Sequence, residues 1–444
     1  MKPLSFALSL ALLTLSSGML KAQVPTSKKP TLKRSSAEAP KAKKPEAAKK
    51  KEQLPRVAYV GAVIHVGNGQ VLRNGTVLTH GSKIEKIGVD IKIPKGCKKV
   101  DVSGKHITPG FLALNASNLG LQTSSGKLAD GIDPFADSIP RALAAGITSY
   151  LFNSGSGSSM PSGKAAVIKL QPGDLKDVIL REGIMVSMWV PLSPANRHKF
   201  EGFVEKAKKY IAAKKDFDRR VEAGDKSAKA PKLDKKLKPL IDVIRGDTRL
   251  RLSCRGRTKD IRAALNIARL LGVPATISGC TEAWCIADEI AETGSACIVY
   301  PREYVPPDPT QSQPNGATIQ NAKILSDAGI TVAVAVQPSR FGGASVGNGG
   351  ILGNDLNTPF ADAAFAVRGG LTDEQGLATL TLGAAKLLGV DDRIGSLEPG
   401  KDADLLILSG DPLHYETFVD LAIVNGRLRY DRSKYPFYRK LGRR

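Results

Sequence analysis

The stretch DIRAALNIARLLGVPATISGC, residues 260–280, contains the unit from which the fold is built. DIRAALNIARLLG repeats apolar residues at helical spacing, and the short run ATISGC is typical of a buried strand. Eight such runs occur along the chain: FLALN (111–115), TSYLF (148–152), AAVIKL (165–170), IMVSM (184–188), LRLSC (250–254), ATISGC (275–280), ACIVY (296–300) and VAVAVQ (332–337). Because helical patterns separate most of them, we expect an α/β fold with a parallel sheet. Eight units fit a closed (β/α)8 TIM-type barrel over residues 107–393.

Both ends of the chain have a different rhythm, in which short strands are separated by glycine turns. Residues 57–106 alternate apolar and polar side chains between Gly-Asn-Gly, Asn-Gly and His-Gly-Ser turns. Residues 394–432 return to the same pattern after the last helix. A chain of 444 residues is long enough for a barrel and a second, smaller core. We therefore expect the two ends to form one composite β-sandwich domain.

Residues 1–22 predict an export signal, because Lys2 precedes an apolar run that ends near Ala22. An uncleaved N-terminal anchor is the alternative. Either reading predicts an exported protein, located in the periplasm or the cell envelope.

Residues 23–56 predict a basic, disordered linker. Positions 24–56 contain eleven Lys or Arg and three Glu, with few large apolar side chains that could drive folding. The linker is either a solvated tether or a segment that docks on an acidic polymer, since the net charge of +23 favours anionic neighbours. An aromatic content of 5% argues against a stacking platform for single-stranded nucleic acid, and the sequence has no specific nucleic-acid motif.

Four separate segments resemble the amidohydrolase superfamily, in the order that the family has them. They are GKHITPGF (104–111), ALAAGITSYLF (142–152), DIRAALNIARLLGVPATISGCTEAWCIADEIAETG (260–294) and IGSLEPGKDADLLIL (394–408). The third segment is similar to the imidazolonepropionase-like branch, and the likeness covers roughly residues 57–430. The resemblance implies a barrel flanked by a β-sandwich and the hydrolysis of C–N bonds other than peptide bonds.

The resemblance also implies a metal centre at the carboxyl ends of the barrel strands. The family holds one or two divalent ions, zinc among them. The ligands are an HxH pair after strand one, one His after each of strands five and six, and an Asp after strand eight. Such an ion lowers the pKa of bound water and so makes hydroxide available for hydrolysis.

The matching positions of this chain carry other residue types. They are Asn115, Ala116 and Ser117 for the HxH pair, Cys254 for strand five, Gly279 for strand six and Gln337 for strand eight. The five histidines of the chain are His65, His80, His106, His198 and His414. Only His198 follows a barrel strand, so the imidazoles cannot meet at the mouth of the barrel. We therefore expect no metal and no cofactor.

Other side chains at the strand ends remain candidates for a pocket. For Cys254 and Cys280 a disulfide, two free thiols and a thiolate metal site all stay open. Lys169 is either a remnant of a functional lysine that the resemblance implies or half of a structural ion pair. Arg255 either holds an anionic ligand or faces solvent. The pocket candidates are Asn115, Ser117, Lys169, Cys254, Arg255, Gly279, Cys280 and Gln337.

Hypotheses from different classes follow from these residues. In the first, an exported amidohydrolase-like protein has lost its metal centre and binds a small molecule or an envelope component without catalysis. In the second, the protein is an active amidohydrolase with an atypical or metal-independent site. In a third, charge drives the binding of a polyanion and the barrel is its carrier, so that binding weakens steeply with salt.

Overall fold

The computed structural model describes residues 55–116, 119–121, 127–153, 155–158, 160–335 and 359–435. All of them belong to the compact unit that covers residues 53–444. The export signal, nearly all of the linker, Ser117 and Gln337 lie outside the described residues. In the part of the chain that is described, no helix is long and apolar enough to cross a membrane.

The described elements alternate between strands and helices through the middle of the chain. The strands are β1 (Arg56–His65), β2 (Val71–His80), β3 (Lys83–Gly88), β4 (Lys98–Asp101), β5 (His106–Pro109), β6 (Phe111–Ala113), β7 (Ile147–Asn153), β8 (Ala165–Lys169), β9 (Ile179–Glu182), β10 (Met185–Trp189), β11 (Arg249–Ser253), β12 (Thr276–Ser278), β13 (Ala296–Val299), β14 (Val332–Val334), β15 (Leu405–Leu408), β16 (Val419–Val424) and β17 (Arg427–Asp431). The helices are α1 (Ser138–Ala144), α2 (Pro194–Glu222), α3 (Lys238–Arg245), α4 (Thr258–Leu271), α5 (Ala287–Glu292), α6 (Asn321–Asp327), α7 (Pro359–Arg368), α8 (Asp373–Leu380) and α9 (Leu382–Leu388). Short 3-10 turns occur at Leu128–Gly131, Lys235–Leu237, Ala283–Ile286 and Arg432–Lys434.

Both ends of the chain contribute strands to one eight-stranded sheet. Its order is β17-β16-β15-β5-β1-β2-β3, with β4 paired to β1. Strand β15 runs antiparallel to β5 and places Ile407 opposite Ile107. Both side chains are fully buried in a separate apolar cluster of this sheet, together with Ile64 and Val77. A single hydrogen-bonded sheet thus unites the two ends, and its packing as a sandwich stays a prediction.

The middle of the chain forms a four-stranded sheet, β6-β7-β8-β9, and a five-stranded sheet, β10-β11-β12-β13-β14. The five-stranded sheet is parallel throughout, as are β6 and β7. Single bridges join the loop after β7 to β10, at Gly157–Met188 and Ser162–Ser187. The predicted α/β fold is confirmed. Within the described ranges the two sheets do not join into a closed ring, so closure of the barrel stays a prediction.

The third predicted strand differs from the expectation of a parallel sheet. AAVIKL forms β8, which runs antiparallel to β7 and places Lys169 opposite Ser149. Strand β9 was not expected, and it pairs antiparallel with β8. The connection explains the reversal, because residues 154–164 read SGSGSSMPSGK and have no helical periodicity. A parallel crossover needs a longer connection, usually a helix, whereas an antiparallel neighbour does not.

The five-stranded sheet is covered on both faces, as parallel sheets usually are. On one face Leu250, Leu252 and Ile277 pack in the core that contains the helices. On the other face lies a smaller apolar cluster to which Met185, Ile298 and Ala333 contribute. Neighbouring strands of a parallel sheet turn register partners to the same side. The pairing of Ser278 with Ile298 therefore places Ser278 on the second face.

Residues 191–248, which are dense in Lys, Asp and Arg, contain the helices α2 and α3. Ser193 caps α2, since its side chain accepts a hydrogen bond from the backbone of Asn196, and Pro194 occupies the first turn. The buried residues of α2 are Phe200, Val204 and Ala207. Most of the remaining residues of this long helix, which is rich in Lys and Arg, are exposed.

Candidate ligand-binding centre

Four polar side chains meet where the carboxyl ends of β6, β12 and β13 approach the middle of β11. We call Asn115, Arg251, Ser278 and Tyr300 the arginine centre. The Arg251 Nη2 group donates to Asn115 Oδ1 at 2.9 Å and to Ser278 Oγ at 2.9 Å. Asn115 Nδ2 donates to the Tyr300 hydroxyl at 3.1 Å, and this hydroxyl lies 2.8 Å from Ser278 Oγ. The network therefore joins four segments that are distant in sequence.

The alternation of side chains along β11 directs Arg251 into this centre. Leu250 and Leu252 pack in the helix-facing core, so Arg251 between them points to the opposite face of the sheet. Only 8% of the Arg251 surface is exposed. A charge at this depth is normally paired, because the burial of an unpaired ion is strongly unfavourable.

Arg251 keeps hydrogen-bond donors that no described residue accepts. All of its hydrogen bonds within the described chain come from Nη2, although Nε and Nη1 also carry N–H groups. The Nε atom is buried and has no hydrogen-bond partner. An unsatisfied buried donor costs about 1–3 kcal/mol, so an acceptor that enters the centre is stabilised.

The hydroxyl pair of Ser278 and Tyr300 has one hydrogen that the bond between the two groups does not use. Each hydroxyl has one hydrogen, and the bond between the two uses only one of them. Both oxygens already accept, Ser278 from Arg251 and Tyr300 from Asn115. The arginine centre thus combines a positive charge with surplus donors, and no carboxylate of the described residues pairs with Arg251.

Polar and aromatic neighbours extend the centre towards β10. Ser187 is the register partner of Arg251, and its hydroxyl accepts a 2.8 Å hydrogen bond from Asn153 Nδ2. Trp189 lies two residues further along the same face, opposite Ser253, and is 50% exposed. The indole of Trp189 therefore provides a large aromatic surface next to Ser187 and Arg251, on the solvent-exposed side of the centre.

The two candidate cysteines belong to the helix-facing core instead. The Cys254 thiol donates to the carbonyl oxygens of Ser278 and Gly279 at 3.3 and 3.1 Å. Burial raises the pKa of Cys254 to about 12 and also raises the pKa of Cys280. All five cysteines are free thiols, so free thiols are the alternative that is observed and the 254–280 disulfide is not. A buried, protonated thiol is a poor nucleophile and a poor metal ligand.

Gly279 and Arg255 complete the candidates around strands five and six. Gly279 has φ +83°, and a Cβ at this position would lie 2.4 Å from the carbonyl oxygen of Cys254. A side chain cannot stand there unless the backbone moves. Arg255 is exposed, which matches the solvent-facing alternative.

Lys169 lies in a different place from the one expected for a pocket residue. Its Nζ contacts Asp402 Oδ2 at 2.7 Å, Asp404 Oδ2 at 2.8 Å and Asn425 Oδ1 at 2.6 Å. The antiparallel direction of β8 sets Lys169 level with Ser149, near the amino end of β7. The structural ion pair is therefore the alternative that the structure shows, and Lys169 is not part of the arginine centre.

Two of the histidines form a second cluster, which the sequence did not predict. His65 Nδ1 lies 2.7 Å from Glu374 Oε1, and His65 Nε2 lies 2.9 Å from His106 Nδ1. Desolvation, with the nearby His65, lowers the pKa of His106. Each bond finds its donor when His65 is protonated on Nδ1 and His106 on Nδ1. The cluster ties the composite sheet to helix α8.

The residue types of the arginine centre do not fit a catalytic divalent metal. Such ions take neutral imidazole, thiolate or carboxylate ligands. The centre holds a guanidinium, an amide and two hydroxyls, and the thiol of Cys254 is protonated and turned to the helices. Across the described ranges no group of three or more His, Cys, Asp or Glu side chains is arranged to hold a metal ion.

Sequence reasoning included Asn115 but missed Arg251, Ser278 and Tyr300. A signal for Arg251 was present, since it is a charged residue inside the apolar run LRLSC. A Lys or Arg within a buried strand needs a partner, and that need marks a candidate site. Ser117 and Gln337, the remaining candidates, lie outside the described residues.

Comparisons with known proteins point to one superfamily. Residues 310–429 match the model of the amidohydrolase family. A crystal structure of an amidohydrolase from Thermotoga maritima MSB8 is 25% identical, with a TM-score of 0.65, covering 85% of this chain and 100% of that chain. No curated protein matches the sequence.

Two further solved structures show the fold alone. A prolidase complexed with N-methylphosphonate-L-proline is 15% identical, with a TM-score of 0.52, and the match covers 85% of this chain and 100% of that chain. A putative prolidase from Bifidobacterium longum is 17% identical, with a TM-score of 0.50, covering 88% and 98%. The chain therefore carries an amidohydrolase family domain at residues 310–429 and has structural neighbours in the amidohydrolase superfamily.

Proposed function

We propose that this protein is an exported, non-catalytic amidohydrolase-like protein that binds a ligand at the mouth of a closed barrel. The proposal includes a β-sandwich built from both chain ends and descent from the imidazolonepropionase-like branch. The family match and the structural neighbours support the scaffold. The ligand is a small molecule or a component of the cell envelope.

The observation that carries this proposal is the guanidinium of Arg251. It bonds Asn115, which stands at the position of the HxH pair, and Ser278, which precedes the strand-six position Gly279. A fixed cation there repels a divalent cation, and the repulsion is strong because a buried site screens charge poorly. In this chain a cation of the protein itself therefore contacts one of the positions that serve a metal in the family and lies beside another.

Metal content of the purified full-length protein tests the proposal. The protein is produced with added zinc and manganese and washed without chelator. We expect less than about a tenth of an equivalent of either metal, since structural and catalytic sites retain their ions through such washing. Near one equivalent, lost in a Cys254→Ser/Cys280→Ser variant but retained in a Cys97→Ser/Cys285→Ser control, would overturn it.

The second candidate function is an active amidohydrolase with an atypical or metal-independent site. The family match to residues 310–429 favours it, because that segment resembles the family and contains none of the four residues of the arginine centre. Release of amine from a panel of N-acyl amino acids and cyclic amides is the measurement. Turnover that an Arg251→Met variant abolishes and an Arg255→Met variant keeps would replace the non-catalytic proposal with this one.

Export and the basic linker form a separate part of the proposal. Cell fractionation tests the location, with residues 1–22 deleted as the control. Binding of an acidic polymer is tested by deletion of residues 24–56, which contain eleven Lys or Arg. We expect binding through this segment to weaken steeply as the salt concentration rises.

A further inference from the structure

We infer that the arginine centre binds the carboxylate of a small organic monoanion. This inference rests on the proposed function and names the chemical class of its ligand. It starts from the mismatch inside the centre: Arg251 supplies one positive charge, and its partners Asn115 and Ser278 are both neutral.

The charge of the centre selects a monoanion. Arg251 is buried, with 8% of the residue exposed, and its guanidinium has no carboxylate partner among the described residues. A ligand with one negative charge neutralises it. A phosphate ester with two charges would leave one of them buried without a partner, which is unfavourable at this depth.

The unused donors of the centre select a flat group with acceptor oxygens. The Nε–H and Nη1 groups of Arg251 are available, and so is one hydroxyl hydrogen of the Ser278–Tyr300 pair. A carboxylate has two oxygens and accepts from a guanidinium and a hydroxyl together. A neutral amide of the same shape has one acceptor oxygen and would place its NH₂ group against donors.

The rim of the centre accommodates the rest of the ligand. Trp189 is half exposed on the same sheet face, one layer further out than Ser187 and Arg251. Its indole offers an apolar surface to the carbon skeleton that carries the carboxylate. Binding there changes the environment of Trp189, one of two tryptophans in the chain, so fluorescence reports it.

Titration of the full-length protein with benzoate, benzamide and phenylphosphonate tests the inference. The three probes share a ring and differ in the group presented to Arg251. Heat of binding and Trp189 fluorescence are recorded together. We expect benzoate to bind in the millimolar range and each of the other probes to bind at least about tenfold more weakly.

Variants assign the binding to the centre. Arg251→Met should weaken benzoate at least about tenfold, because the charge-assisted bonds are lost, while the exposed Arg255→Met control should leave it unchanged. Tyr300→Phe removes one hydroxyl and gives a second test that retains the charge. Trp189→Phe should remove most of the fluorescence change while the heat remains. Equal binding of benzoate and benzamide, or the same benzoate affinity in Arg251→Met, would overturn the inference.

The outcomes separate this inference from the proposed function. If the protein is free of metal and does not bind benzoate, the inference about the ligand class fails, but the proposed non-catalytic function stands. If the protein holds a metal and chelation abolishes benzoate binding, both the proposed function and the role of Arg251 are overturned. Benzoate binding to the metal-free protein through Arg251 supports both.

Discussion

Two buried cations of this molecule, Lys169 and Arg251, have opposite surroundings. The Lys169 side chain is fully buried against two carboxylates, Asp402 and Asp404. Arg251 is nearly as deep, but its hydrogen bonds go to neutral side chains. The first cation has partners of opposite charge within the protein, and the second retains donors without partners. Burial alone therefore does not identify a structural charge, because the partners of the charge decide whether it stabilises the fold or remains available to a ligand.

The largest effect is expected from Lys169→Met. Removal of one partner of a buried ion pair leaves charged groups uncompensated and costs about 3–5 kcal/mol. Asp402 keeps Lys83 and Arg393, whereas Asp404 loses its ion-pair partner among the described residues. The measurement is the free energy of unfolding in urea, with the exposed Lys209→Met as the control. A loss as small as that of the control would show that Lys169 is not structural.

Gly279→Ala should cost about 2 kcal/mol or more, through a positive φ and a clash with the Cys254 carbonyl oxygen. Gly272 provides a matched control, because its φ is +72° and a Cβ there meets nothing within 4 Å. Gly272→Ala should cost about 1 kcal/mol from backbone conformation alone. Equal losses in urea unfolding would mean that the backbone at 279 adjusts, and that a metal-binding side chain fits there.

Acid should weaken the Lys169 network and not the arginine centre. The ion pairs of Asp402 with Arg393 and Lys169 outweigh its desolvation and hold its pKa at about 2, below the ordinary 3.8. Because the unfolded chain binds the proton more readily between these values, stability falls as pH drops from about 4 to 2, by roughly 2 kcal/mol in all.

Unfolding measured across that range in Asp402→Asn checks the acid effect. The variant should lose this part of the pH dependence, while Arg251→Met should keep it. An unchanged acid slope in Asp402→Asn would assign the effect to other carboxylates.

The smallest effect on stability is expected from Arg251→Met. The variant loses two hydrogen bonds, but it also removes a buried charge and an unsatisfied Nε, and methionine fills much of the same space. We expect the free energy of unfolding to change by less than about 1 kcal/mol, in either direction. A loss of unfolding free energy comparable to that of Lys169→Met would show that Arg251, like Lys169, stabilises the fold.

The sequence predicted the positions of most strands because buried strands are continuous apolar runs. It did not predict that the strand AAVIKL runs antiparallel, because an apolar run carries no information about strand direction. Only the short Gly/Ser connection before it indicated a reversal. The pairing of Leu405–Leu408 with His106–Pro109 agrees with the expected return of the last strands to the first sheet.

The candidate site was harder to predict than the fold. Asn115 follows directly from strand one, and it lies in the arginine centre. Cys254 lies at the end of its strand, as expected. Successive side chains of a strand point to opposite faces, and the Cys254 thiol points to the helices. The position of a residue at the end of a strand does not by itself predict which face its side chain occupies. Arg251 lies inside its strand, so a prediction based on the ends of strands does not include it.

The pairing of β5 with β15 also bears on how the chain is made. Ile107 and its partner Ile407 are about 300 residues apart, so the amino-terminal strands leave the ribosome long before their neighbour exists. During that interval the edge of β5 has no strand to pair with on that side, and the composite sheet lacks β15, β16 and β17. This order delays completion of the composite sheet until the strand that contains Ile407 has been synthesised.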